Sequence, residues 1–163
     1  MPRGRPPYEP FDPDERSPVR QAVATVDDRG RFKLPIRISE GVEWLNGRET
    51  LAILRTPGVI RLRQWEIEGE AVLRRRRELI EEAKSDPALL EIVRALEDRY
   101  KRFRIPPSGR PTLTDEMLLH LSLKPSVPAS IYVWCISDTI ELASTDHRIV
   151  TLATRWEELD GLP

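Results

Sequence analysis

Cysteine and histidine are nearly missing from this chain of 163 residues, which holds one of the first and two of the second. A single cysteine excludes an internal disulfide and by itself cannot build a zinc site, so a reducing compartment, the cytoplasm, is the expected setting. Cys135 sits in an apolar run and reads as a small core residue. Long hydrophobic runs are scarce as well. The most apolar stretch, Leu118 to Ser137, is interrupted by Lys124, Pro125 and Pro128 and falls short of the roughly 20 apolar residues that span a bilayer. The N-terminus has no apolar segment of the secretory kind. Gly47 and Gly58 are isolated turn glycines, so no phosphate-binding loop is expected. Asp146-His147 has no nucleophile elbow to serve. No ligand spacing for a metal appears, and His120, in LLHLSL, reads as a partly buried helix residue. The expectation is a non-enzyme with no catalytic residue, cofactor, metal or membrane partner.

What is present is charge. Lys, Arg, Asp and Glu make up 33% of the residues against 39% for the apolar set, the balance of a globular protein with a well-solvated surface. A chain of this length favours one domain, or two small halves sharing a core. The net charge of -1 conceals an asymmetry. Residues 20–64 carry nine Lys or Arg against five Asp or Glu, whereas residues 105–163 carry four against eight. A cationic segment beside an anionic one suits a polyanion partner, or head-to-tail contact between copies.

Residues 1–18 hold six of the 15 prolines and cannot build a core, so a disordered or extended tail is expected there. From Ala22 to Leu34 apolar residues alternate, which predicts a strand, a sharp feature at Asp27–Gly30 and a second strand piece. Pro35 ends that strand and opens a short helix through about Leu45, with Asn46-Gly47 as its stop, and LAIL and VIRLR around Arg55–Gly58 predict a hairpin. Residues 65–103 are helical by composition and split at Ser85-Asp86-Pro87, giving helices over about 66–84 and 87–103. In the second of these Leu89, Leu90, Val93, Leu96 and Tyr100 form a stripe for a core. Arg74–Arg77, ringed by glutamates at helical spacings, reads as an ion-pair lattice. From Arg104 the order of elements begins again: a turn with Gly-Arg, the helical piece DEMLLHLSL, then a hairpin from SIYVWCI and IELAS. Gly30-Arg31 matches Gly109-Arg110, and Leu34 matches Leu113, each 79 residues later. The expected organisation is a tail at 1–18, a first repeat at 19–64, a helical pair at 65–103 and a second repeat at 104–163.

The run DDRGRFKLP, Asp27 to Pro35, resembles the signature of swapped-hairpin DNA-binding proteins of the AbrB and MraZ kind. Two copies joined by a helical pair, Arg20 eleven residues before Arg31, and a tryptophan after each hairpin (Trp65 and Trp156) favour MraZ. The resemblance implies an α+β fold: a β-rich swapped-hairpin barrel built from both repeats, with the two-helix insert between them. It implies a sequence-specific transcriptional regulator that forms oligomers, rings among them, and binds operator DNA as a nucleoid-associated protein. Carried over, Arg31 belongs to a full motif with Asp27, while Arg110 belongs to an eroded one with Pro106 in place of the acid.

The residues themselves allow that chemistry. Gly30 permits a positive φ, and Gly109 and Pro35 complete the motif framework. Asp27 can accept backbone N–H bonds or hold an arginine in one rotamer. Arg29, Arg31, Lys33 and Arg37 cluster near one turn, and guanidinium suits phosphate or a guanine edge. With the second copy acidic, the first half is expected to read DNA and the second to complete the barrel and contact neighbouring subunits. In the tail, Arg3-Gly4-Arg5-Pro6 resembles an AT-hook, whose arginines lie in the minor groove of A/T-rich DNA. Two other readings stay open: an AbrB-like antitoxin that binds DNA and a toxin, and an assembly protein that kept the barrel but not the DNA. The four tryptophans read as core or interface anchors.

Overall fold

The computed structural model describes residues 19–40, 42, 45, 49–136 and 139–145. Strand β1 (Val19–Val26) follows the expected alternation, with Ala24 and Val26 buried and Val23 and Thr25 exposed. A short α1 (Ile36–Ser39) starts directly after Pro35 but stops well before the expected Leu45, since Val42 and Leu45 are not helical. The hairpin is β2 (Glu49–Ile53) and β3 (Val59–Gln64). A single π-helical turn, Trp65–Gly69, leads into α2 (Glu70–Ala83), and α3 (Leu89–Arg99) packs against it. Strand β4 (Tyr100–Arg104), α4 (Asp115–His120), β5 (Ala129–Ile136) and β6 (Thr139–Ser144) complete the described chain. Thr114 caps α4, its hydroxyl oxygen accepting from the Met117 N–H at 3.3 Å.

The six strands form one antiparallel sheet in the order β1-β5-β6-β3-β2-β4. This order is unchanged when β1, β2 and β3 are exchanged with β4, β5 and β6. Each leading strand pairs with the hairpin that comes from the other part of the chain: β1 with β5, from Val19↔Ile136 to Val26↔Ala129, and β4 with β2, from Tyr100↔Ile53 to Arg104↔Glu49. The two hairpins join along β3 and β6, where Arg61 faces Glu141. One core cluster runs through both parts and includes Val26, Phe32, Leu34, Ile60, Phe103, Ile105, Leu113, Val133 and Leu142.

Two further expectations are corrected. The barrel does not close: β1 and β4 are edge strands of an open sheet among the described residues. The second helix does not reach residue 103, because Tyr100 leaves helical geometry at φ -118°, ψ 126° and residues 100–104 pair with β2 instead. The apolar stripe of α3 is correspondingly narrower. Val93 is buried, but Leu90 is 52% exposed, and neither belongs to the main core cluster. The arginine run forms the expected surface lattice, with Arg75 on Glu78 at 3.2 Å and Arg76 on Glu97 at 3.0 Å. No helix among the described residues is long and apolar enough to cross a membrane.

Candidate nucleic-acid interface

The first turn is built around Gly30, whose φ of +79° few other residues tolerate. The Gly30 N–H donates to the Asp27 carbonyl at 3.1 Å, and the Asp27 N–H donates to the Arg31 carbonyl at 2.8 Å. The Asp27 carboxylate then organises the loop. Its Oδ1 accepts the backbone N–H groups of Arg29 and Arg31, both at 2.9 Å, and its Oδ2 accepts Nε of Arg31 at 3.3 Å. Both roles read from the sequence for this carboxylate are therefore filled at once. The Arg31 backbone N–H does most to hold the carboxyl of Asp27 below its ordinary range, with the Arg29 N–H and the Arg31 guanidinium adding to it against partial desolvation. The Arg31 side chain is 52% exposed. Its bond to Asp27 uses Nε and leaves the terminal Nη pair to donate outward, the fork that matches a phosphate or the N7 and O6 of guanine.

The second turn repeats this backbone with different side chains. Gly109 has φ +71°, and its N–H donates to the Pro106 carbonyl at 2.8 Å. Pro106 supplies no carboxylate. The Ser108 hydroxyl takes over one of the lost bonds, accepting the Arg110 N–H at 3.3 Å. Serine two residues ahead of Arg110 was the available signal, since hydroxyls stabilise turns as Asp does, more weakly.

The turns meet back to back. Leu34 N–H donates to the Gly109 carbonyl and Leu113 N–H to the Gly30 carbonyl, both at 2.8 Å, while Phe32 N–H donates to the Pro111 carbonyl at 3.2 Å. Across this seam Lys33 Nζ donates to the Ser108 carbonyl at 2.7 Å. Phe32, Leu34 and Leu113 are buried beneath, and Arg29, Arg31, Lys33 and Arg110 are exposed above. A pocket of about 450 Å³ opens between the turns, lined by Thr25, Asp27, Arg31, Phe32, Lys33, Ser108 and Arg110.

The sequence-derived set thus divides. Arg31, Lys33 and Arg110 come together around one pocket, with Arg29 on the same turn. Arg20 lies on β1 opposite Cys135 and Arg37 on α1, but their side chains are outside the described part. Arg3, Gly4 and Arg5, and with them the AT-hook reading, lie outside the described residues, as do Trp44, Trp156 and His147. His120 is structural, its Nε2 at 2.9 Å from the carbonyls of both Thr56 and Val59. Trp65 and Trp134 are buried, and the guanidinium of Arg102 lies 4.5 Å from the Trp65 ring centroid. Among the described residues no group of three His, Cys, Asp or Glu side chains could hold a metal ion. Against known proteins, no family model matches the chain, and no curated protein matches it.

Proposed function

We propose that this chain is a sequence-specific DNA-binding regulator, assembled in the swapped-hairpin manner of the AbrB and MraZ proteins that its turn motif resembles. The observation that carries the reading is the pair of glycine turns bonded back to back, with a carboxylate-held guanidinium on one and, on the other, an exposed arginine that has no carboxylate partner among the described residues. Rigid backbone presenting guanidinium forks at an exposed edge is what direct readout of a base and a neighbouring phosphate requires. The exchange of leading strands between the two hairpins supports the swapped-hairpin assignment. In this reading the regulator acts on promoter DNA in the cytoplasm as an oligomer, and the Arg-Gly-Arg tail adds minor-groove contacts at A/T-rich sites.

Fluorescence anisotropy with a labelled duplex from upstream of the gene and a random duplex, each at two salt concentrations, tests it. The expected result is tighter binding to the upstream duplex and a linear fall of log K with log salt. Equal, salt-independent behaviour on both duplexes would transfer the fold to the assembly-protein reading. Copurification of a small toxin would point to the antitoxin reading.

A further inference from the structure

We infer that Arg104, on the edge strand β4, is a DNA-phosphate contact that gives the interface a cationic flank on one side only. The inference rests on the DNA-binding reading and assigns it a residue that the turn motif does not contain.

The argument comes from positional equivalence. Gly30 and Gly109 share a positive φ, and each donates its N–H to the carbonyl three residues earlier. The bond from Leu34 to Gly109 and the bond from Leu113 to Gly30 change places when the two turns are exchanged. The same spacing of 79 residues carries back into the strands that lead to the turns. Val26 and Ile105 are both buried, Ala24 and Phe103 are both buried, and the residues between them, Thr25 and Arg104, are both exposed. Thr25 lines the pocket beside Arg31 and Arg110. Arg104 therefore stands on β4 where Thr25 stands on β1, flanking the interface from the second turn's side.

Charge makes the two flanks different. Thr25 is neutral, and the turn after it carries Asp27 and Asp28 together with its arginines. After Arg104 come Pro106, Pro107 and Ser108, with no acid before Arg110. The residue paired with Arg104 across the strands is Glu49, yet the Glu49 carboxylate accepts Nε of Arg102, at 3.3 Å through Oε2, rather than Arg104. Among the described residues Arg104 has no carboxylate partner of its own. A surface guanidinium without a carboxylate partner among the described residues, on the strand that leads into the turn of Arg110, attracts a phosphate oxygen and releases a condensed cation when one binds. The part of the chain that is acidic overall thus keeps two exposed arginines, Arg104 and Arg110, without carboxylate partners among the described residues.

The test is a salt series of binding isotherms on the upstream and random duplexes with full-length protein. Arg104→Ala is expected to weaken both duplexes to the same extent and to make the slope of log K against log salt shallower by about 1. Arg104→Lys, which keeps the charge, is expected to hold the wild-type slope. Adding Thr25→Arg to Arg104→Ala is expected to restore the slope from the opposite flank. Arg94→Ala, on α3 and paired with Glu91 at 3.8 Å, serves as the ion-paired control and is expected to leave the slope unchanged. If Arg104→Ala binds with wild-type affinity and slope while Arg31→Ala loses binding, the assignment of Arg104 is wrong and the DNA reading stands. If the wild-type protein shows no salt-dependent binding, the DNA reading itself fails.

Discussion

Asp27 accepts three N–H donors with one carboxylate, and each of those bonds is strongest when the group is ionised. Its folded pKa lies below that of an unfolded aspartate, about 3.9. The sign follows directly: the turn has its full support above the unfolded value and loses it as pH falls through the lowered folded value. The backbone amide shifts of Arg29 and Arg31 are therefore expected to stay constant from neutral pH to about 4 and to titrate together below that. Asp27→Asn should abolish the transition, and a transition centred above pH 4 would contradict the bonding described. On DNA, Arg31→Ala is expected to cost about 1–3 kcal/mol on the preferred duplex and to relax the preference for it. Asp27→Ala keeps the guanidinium but releases its rotamer, so the preference should fall more than the affinity for random duplex. Titration against both duplexes separates these two losses.

At the level of elements, the turns differ in what surrounds their glycines. A Cβ on Gly30 would lie 2.5 Å from the Leu113 carbonyl oxygen, which is backbone and fixed by the seam. A Cβ on Gly109 would meet Lys33 Nζ at 3.1 Å, the mobile end of a long side chain. Both substitutions carry the cost of a left-handed backbone, about 1–2 kcal/mol, but only Gly30→Ala must also move main chain. Urea denaturation should show Gly30→Ala to be the more destabilising, and the reverse order would mean that the seam yields easily. The hairpins and both Gly-Arg turns were readable from alternation and turn residues, because those signals are local. Strand β4 was not. Tyr100, Lys101 and Arg102 continue a helix as readily as they form a strand, and what decides is β2, where the Thr50 hydroxyl donates to the Phe103 carbonyl at 2.6 Å. A period-two signal did exist in Phe103 and Ile105, which fall 79 residues after the buried Ala24 and Val26. Helical composition upstream masked it.

Across the whole molecule the repeat was legible in the order of elements, whereas the sheet order was not, since strand exchange leaves no mark in either half's own periodicity. The seam residues of the candidate site, Lys33 and Ser108, become partners only through that exchange. The exchange also has a thermodynamic consequence. An isolated first half would leave β1 without β5 and the β2–β3 hairpin without its partners on either side, exposing Ile60 and Leu62 of the shared core. Neither half can then hold a closed hydrophobic cluster of its own, so the two should unfold as one cooperative unit. Native-state amide exchange is the discriminating measurement, because it reports opening free energies element by element. The most protected amides of β2 and β3 are expected to converge with those of β5 and β6 on one global value as urea is added. If the two hairpins instead converge on values more than about 1 kcal/mol apart, the halves open independently, and the pairing of β1 with β5 contributes less to stability than its eight-residue register implies.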